Sequence, residues 1–458
     1  MIRFFFFTGF LILLQNINLP AFSRNSDQQV IDSLKQVLQQ APEQEKADIL
    51  LNISSRYRNL NDSSAIVYAQ KALIRSKQES NPKRIARSSY SLGYAFYSFN
   101  QHDSARVYLK KALSSYQKIH DRKGMALALN RLGNTYQLTG NHQKAVRNYQ
   151  KALSINQELN LTEELGRSYS NLGSIYRIFG QFEEAIDYSL KALDAYENSN
   201  DKEGIAWISL NIGRLYGKME QYNKALDYTQ QALNLYQQIE NKTGNITGVT
   251  LCLKELGEIS KNTGDYQQAL EYQQEVLAIN QESNNQYGIA NTIAEIGKIH
   301  YEQGDYKTAL DNLSASISLK EKLGDSFGKA SILRIMGDSY RILQNYHKAS
   351  QYLQQSLEQA KKQDLRSEMK DSYHSLARYY EDKGDFQNAY RNYQQYAALK
   401  DSINIADVTR LEMQHEFERE QQRIRLEQQK QEALHEAEIK RQRLIRNASA
   451  SGLAVALI

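Results

Sequence analysis

Apolar residues recur through most of the chain with the three- and four-residue spacing of amphipathic helices. In LGNTYQLTGNHQKAVRNYQKAL, residues 132–153, Gly133 is followed by Ala145 twelve residues later and by Ala152 seven residues after that. The polar turn TGN separates two periodic stretches. Small residues at fixed positions of two helices let their axes approach to about 8 Å. The pattern therefore predicts a helix-turn-helix unit.

This unit recurs along the chain, in steps of 40 residues except for 39 between Ser54 and Gly93 and 44 between Gly213 and Gly257. Its first small residue is Ser54 in a weak first copy, then Gly93, Gly133, Gly173, Gly213, Gly257, Gly297, Gly337 and Ala377. One helix pair cannot bury its own apolar face, so the units must stack on one another. The sequence predicts an all-α superhelix of nine helix-turn-helix repeats over residues 46–402, with an N-terminal helical cap at 24–45.

Short glycine-containing segments join the predicted units. These are DRKG at 121–124, DKEG at 201–204 and GDSFG at 324–328. Glycine commonly ends helices because it adopts the left-handed conformation without steric cost. The three segments therefore predict glycine C-caps between one unit and the next.

The Gly–Ala–Ala spacing resembles the tetratricopeptide repeat (TPR), and the 40-residue unit with its D-x-x-G-x-A junction is similar to the longer class of that family. One departure is the proline at the end of the second helix, which Asn, Asp and Gly replace. In the family, the first helix of each pair lines a concave groove. The resemblance implies a peptide or protein ligand in that groove and no cofactor.

The family's groove positions lie three residues before, one after and four after the first small residue of each repeat. Applied to this sequence, the resemblance implies ligand contacts at Tyr90, Tyr94, Tyr97, Asn130, Asn134, Arg177, Arg214, Lys254, Lys298, Arg334, Arg341 and Arg378. Amides can hold a peptide backbone and cations can bind carboxylates, so the predicted ligand is an extended or acidic peptide. Ordinary solvated or internally paired charges, and tyrosines that pack the N-terminal repeats, are the alternative interpretation.

The two ends of the chain differ in composition from the repeats. Residues 1–23 combine Arg3, an apolar run and small residues at Ala21 and Ser23, which predicts a secretory signal peptide. Residues 403–446 predict a charged signalling helix or weak coiled coil, with a possible homodimer through 409–446. An apolar stretch at 447–458 predicts the start of a truncated transmembrane helix. Together these segments predict an exported, periplasmic chain that a C-terminal transmembrane helix tethers to the inner membrane.

Composition and motifs give little support to other classes of function. The excess of 57 Lys and Arg over 52 Asp and Glu is too slight to predict nucleic-acid binding. Cys252 is the only cysteine, which excludes an intramolecular disulfide framework. The eight histidines show no paired metal spacing, and neither a nucleophile elbow nor a glycine-rich phosphate loop occurs. The sequence therefore predicts no metal site and no catalytic activity.

The order of these segments resembles bacterial membrane-bound TPR sensors of the histidine kinase type. The resemblance implies a non-catalytic ligand- or peptide-binding sensor region of a single-span signal-transduction protein. Any kinase or cyclase output would lie beyond Ile458. A secreted or periplasmic TPR scaffold, which assembles proteins without signalling, is the alternative.

Overall fold

The computed structural model describes residues 24–243 and 246–401, together with short helical pieces between 426 and 443. Within these residues every regular element is a helix. Helix α1 (Arg24–Gln40) precedes nine helix pairs, in which we call the first helix A and the second helix B. The predicted all-α superhelix of consecutive helix-turn-helix repeats is thus confirmed.

The pairs follow one another without a break in their order. The A helices are α2 (Lys46–Asn59), α4 (Pro82–Ser98), α6 (Arg122–Leu138), α8 (Thr162–Ile178), α10 (Lys202–Lys218), α12 (Thr247–Asn262), α14 (Gln286–Glu302), α16 (Lys329–Ile342) and α18 (Arg366–Asp382). The B helices are α3 (Ser64–Gln78), α5 (His102–Lys118), α7 (His142–Glu158), α9 (Phe182–Asn198), α11 (Tyr222–Thr243), α13 (Tyr266–Glu282), α15 (Tyr306–Lys322), α17 (Tyr346–Lys362) and α19 (386–401).

The segment DRKG caps the start of a helix and not the end of one. His120 is left-handed, with φ +55°, and the side chain of Asp121 accepts a hydrogen bond of 2.8 Å from the backbone N–H of Gly124. Gly124 is the third residue of α6, where the ring of Tyr116 occupies the space that a Cβ would need. DKEG at 201–204 repeats this arrangement. The predicted glycine C-cap is therefore wrong at both segments, whereas left-handed Gly324 confirms it at GDSFG.

The small residues of the repeat lie where helices A and B cross. A Cβ on Gly337 of α16 would lie 2.6 Å from Cγ of Leu353 on α17. Ala349, one turn earlier on α17, is fully buried. Close approach leaves the aromatic residues beside the crossing in contact, as in the stacked rings of Tyr340 and Tyr352, whose centroids are 5.5 Å apart. The packing role predicted for the first glycine is confirmed.

The A helices form the inner side of the superhelix. Consecutive A helices approach each other at nearly every junction, whereas consecutive B helices do not come comparably close within the described residues. The exception is the pair α12 and α14, which make fewer close contacts than the other neighbouring A helices. Because a curved stack brings its inner elements closest, this difference places the A helices on the concave face.

The junction before α16 is longer than the junction before α14. Helix α14 begins two residues after left-handed Asn284, but α16 begins five residues after left-handed Gly324. The intervening loop is held by Lys320, which is 1% exposed. Its Nζ donates hydrogen bonds to Oδ2 of Asp325 at 2.7 Å and to the carbonyl of Phe327 at 2.9 Å. Lys320 stands eight residues before Gly328, and in other repeats a tyrosine stands eight residues before the corresponding glycine, as Tyr116 does before Gly124 and Tyr196 before Gly204.

The predicted location, a periplasmic chain that a C-terminal transmembrane helix tethers to the inner membrane, is wrong. A membrane-spanning helix needs about 20 predominantly apolar residues, and none of the helices described combines that length with that apolarity. The repeat helices are amphipathic, with charged residues along their outer faces. The predicted signal peptide at 1–23 and the predicted membrane segment at 447–458 lie outside the described residues, as does most of the 403–446 helix with its proposed dimer contact.

Candidate ligand-binding groove

Side chains on consecutive A helices meet in a regular register along the concave face. In each of these contacts, one partner is the residue directly after the small residue of its repeat. The other partner lies in the next repeat, two residues before the small residue there. Tyr94 meets Arg131 in this way, Arg214 meets Glu255, and Asp338 meets Ser375. Side-chain contacts of this kind therefore join neighbouring repeats along the inner surface. We refer to this surface as the inner groove.

The three predicted tyrosines form one row on α4. The ring centroids of Tyr90 and Tyr94 are 6.2 Å apart, as are those of Tyr94 and Tyr97. All three are half-buried, and Tyr90 and Tyr97 also pack against the hydrophobic core. The row therefore packs the N-terminal repeats, as the alternative interpretation has it, and also faces the inner groove, where its contact with a ligand stays a prediction.

The predicted asparagines of repeat 3 are engaged within the protein. Asn130 is buried and its Nδ2 donates to Ser168 of the next repeat at 3.2 Å. Oδ1 of Asn134 lies 2.7 Å from the hydroxyl of Tyr149, which is fully buried. The Nδ2 group of half-buried Asn134 forms no hydrogen bond to any described residue, so this amide can still donate to a ligand.

Four of the predicted cations form ion pairs with carboxylates of the same face. Nε of Arg214 lies 2.9 Å from Glu255, and Nζ of Lys298 lies 2.8 Å from Glu295. Arg334 and Arg341 both approach Asp338, at 3.4 Å and 3.5 Å. Arg341 is also 2.6 Å from Asp382 of the following repeat and is only 7% exposed. These four side chains therefore fit the alternative interpretation, in which the charges are paired within the protein.

The remaining predicted cations are exposed. Arg177, Lys254 and Arg378 form no ion pair with any residue that the structure describes. Lys254 borders a cavity of about 340 Å³ between repeats 6, 7 and 8, which Lys298 and Phe327 also line. This cavity lies beside α12 and α14, which make fewer close contacts than other neighbouring A helices. The predicted residues thus spread over the whole groove and do not converge on one cluster.

Two arginines that the sequence reading missed lie in the aromatic part of the groove. The guanidinium carbons of Arg58 and Arg131 are 3.9 Å and 3.6 Å from the centroid of the Tyr94 ring. Arg58 stands four residues after Ser54, which is a groove position of the weak first repeat. Applying the groove positions to the weak first repeat would have predicted Arg58. Arg131 is two residues before Gly133, a position that the family pattern does not single out.

Other reactive groups give no sign of a chemical centre. No group of three His, Cys, Asp or Glu side chains within the described ranges could hold a metal ion. Cys252 is fully buried, and burial raises the pKa of its thiol to about 12. Such a thiol is inert at neutral pH because the thiolate is the nucleophile.

Comparison with known proteins agrees with this architecture. A tetratricopeptide repeat family model matches residues 124–198, 164–238, 249–322 and 328–402, and a second one matches residues 86–119. No curated protein sequence matches the chain.

Solved structures with the same fold include a signal-transduction ATPase with a TPR sensor, PH0952 from Pyrococcus horikoshii. It is 17% identical with a TM-score of 0.58, over 79% of this chain and 54% of that protein. The apo form of RapI is 17% identical with a TM-score of 0.53, over 70% and 99%. The apo form of the quorum sensor NprR from B. thuringiensis is 14% identical with a TM-score of 0.52, over 69% and 85%.

At these identities the structural likeness concerns the fold alone. The family models, in contrast, cover more than half of the chain and match the repeat units seen in the structure. The chain belongs to the tetratricopeptide repeat family.

Proposed function

We propose that this protein binds an extended peptide segment of a ligand or partner protein along its inner groove, as a non-catalytic recognition module. The observation that carries the proposal is the contact of A helices from repeat to repeat, close at every junction except that of α12 and α14, with aromatic and polar side chains directed inward. An elongated face of this kind suits a linear ligand better than a compact one. The cavity of about 340 Å³ is only one part of that face.

The repeat spacing is compatible with an extended chain. Packed helices lie about 8–10 Å apart, and an extended peptide advances about 3.3 Å per residue, so each repeat would face about three residues. Free donors are available along the path, including the amide of Asn134 and the guanidinium group of Arg177. Charge-assisted hydrogen bonds from such groups favour acidic or carbonyl-rich ligands.

A sensor role requires that ligand binding change the shape of the array. The junction of α12 and α14, which make fewer close contacts than other neighbouring A helices, provides a place where neighbouring repeats can move with little loss of contact. We propose that peptide binding brings these two helices closer together. Small-angle X-ray scattering with and without the peptide should then show a smaller radius of gyration. An unchanged radius with the peptide bound favours the scaffold role.

The binding proposal can be tested with a random dodecapeptide library displayed on phage and panned against the full chain. A selected peptide is then titrated by fluorescence anisotropy. Arg177→Glu in the groove should weaken binding of an acidic peptide by about tenfold or more, which corresponds to about 1.4 kcal/mol.

Lys151→Glu is the matched control, because Lys151 is equally exposed but lies on helix B of repeat 3. Both variants change the net charge by the same amount. Equal weakening by the two would indicate a non-specific charge effect. Failure to enrich any peptide would reject the proposed function.

A further inference from the structure

Tyr94 lies between two guanidinium groups. Arg58 belongs to helix A of repeat 1 and Arg131 to helix A of repeat 3, and these helices flank α4 on opposite sides. A guanidinium carbon within 4 Å of a ring centroid must lie over a face of the ring, since the ring atoms block an approach from the edge. Two such groups cannot share one face, so Arg58 and Arg131 cover opposite faces of Tyr94.

Neither charge is neutralised inside the protein. Arg58 and Arg131 form no ion pair with any carboxylate in the described part of the chain, in contrast to Arg214 and Arg341. Burial lowers the pKa of Arg58, and the like charge of Arg131 lowers it further. Cation–π contact with Tyr94 offsets only part of this cost at Arg58. At Arg131 burial acts in the same direction, but the tyrosines around the guanidinium group outweigh it and raise the pKa. The pair therefore creates an unmatched positive charge on the concave face.

The stacking also fixes which donors remain available. A guanidinium group that stacks through its face keeps its in-plane N–H donors. Arg58 uses one of these to donate to Ser55 at 3.0 Å. Both arginine side chains are half-buried, so part of each still faces solvent. The arrangement presents two planar, preoriented groups of the kind that bind carboxylates in a bidentate manner.

The separation of the two groups selects a ligand spacing. Their carbons lie no farther apart than the two distances to the Tyr94 centroid combined, about 7.5 Å. In an extended peptide, side chains at i and i+2 point to the same side and are about 6.5 Å apart. We infer that Arg58 and Arg131 form a subsite for two acidic side chains placed two residues apart on an extended peptide. The inference rests on the proposed function and names the ligand class at one end of the same groove.

The test compares two fluorescein-labelled peptides of identical composition, GSAEAEASG and GSAEEAASG. Their net charges are equal, but only the first places both glutamates on one side of an extended chain. At about 50 mM salt, where screening is weak, the first peptide should bind about tenfold tighter to the full wild-type chain.

Variants assign this preference to residues. Arg58→Gln and Arg131→Gln should each abolish it, and Arg131→Lys should reduce it because lysine keeps the charge but loses the planar stack. Arg106→Gln, which removes a cation from helix B, should leave it unchanged. Thermal melts check that each variant is folded, and the comparison of isomers in the wild type does not depend on any substitution.

Equal affinity for the two peptides, or a preference that survives in both glutamine variants, would overturn the subsite. If library-selected peptides still bind the inner groove in that case, the proposed function stands and only the subsite is rejected. If no peptide of any kind binds, both are rejected.

Discussion

Nζ of Lys320 lies 2.7 Å from Oδ2 of Asp325, and the lysine side chain is almost fully enclosed by repeats 7 and 8. Replacing this lysine leaves the Asp325 carboxylate and the carbonyl of Phe327 without their charged donor, and hydrogen bonds to charged groups typically contribute about 1.5–3 kcal/mol. Lys320→Met should therefore destabilise the chain by about 2–3 kcal/mol. Urea denaturation followed by circular dichroism measures this change.

The control for this substitution is Lys322→Met, because Lys322 lies in the same last turn of α15 and is exposed. Its stability should be close to that of the wild type. Equal stability of both variants would show that the Lys320 contacts do not hold the loop.

The ion pair of Lys320 and Asp325 also predicts how the stability of the protein depends on pH. The hydrogen bond from Lys320 lowers the pKa of Asp325, so its contribution to stability is present above the unfolded pKa and is lost as the pH falls through the folded value. Lys320→Met removes this contribution at neutral pH. The wild type should therefore lose more stability than the variant between pH 5 and about pH 2. Parallel acid dependence of the two proteins would contradict the assignment.

Two glycines on A helices should respond to alanine with opposite signs. A Cβ on Gly133 would overlap the ring of Tyr149, which is fully buried, so Gly133→Ala should destabilise by about 1–3 kcal/mol. Around Gly217 the nearest atoms are 4.0 Å away, and the residue is helical. Gly217→Ala should stabilise by up to about 1 kcal/mol, the difference in helix propensity. Differential scanning calorimetry of both variants tests the pair, and shifts of the same sign would be inconsistent with the packing described.

Arg341 and Arg378 occupy groove positions in neighbouring repeats but differ in surroundings. Arg341 bridges Asp338 and Asp382 and is buried, whereas Arg378 is exposed. Arg341→Gln should therefore destabilise by about 2–3 kcal/mol, and Arg378→Gln should be nearly neutral. A selected peptide that contacts this end of the groove should lose affinity only with Arg378→Gln once folding is accounted for. The reverse result would make Arg341 a ligand contact after all.

Cys252 provides a probe of the folded state. Its thiol is fully buried on α12, and burial raises its pKa to about 12. Reaction with Ellman's reagent at about pH 8 should be slow in the native protein and rapid in about 8 M urea, because the reactivity of a thiol depends on its exposure. Rapid stoichiometric labelling of the native protein would mean that the core around α12 opens readily.

The repeat architecture could be predicted from sequence because its physical cause is local. Gly337 and Ala349 are twelve residues apart, and the requirement for small side chains where two helices cross appears directly as a period in the sequence. The left-handed residues of the turns were harder to predict from sequence, because His120 adopts the left-handed conformation that was expected of Gly124. Gly124 is instead required by the ring of Tyr116, a tertiary contact that local turn preferences do not include.

The candidate site was less predictable because its contacts cross from one repeat to the next. Whether Arg214 is free depends on Glu255, 41 residues later, and whether Tyr94 is covered depends on Arg131. These pairings follow from the register of neighbouring A helices, which the period of the repeat does not specify. The cations predicted from groove positions alone therefore include several that the structure pairs internally.

The most direct test of ligand binding in the inner groove is site-specific photo-crosslinking of a library-selected dodecapeptide. The photoreactive amino acid p-benzoylphenylalanine is placed at position 177 on helix A or at position 151 on helix B, both of which are exposed. We predict that the peptide cross-links at position 177 and not at position 151, and that excess unlabelled peptide prevents the reaction. Equal cross-linking at both positions, or cross-linking at position 151 alone, would contradict binding along the inner groove.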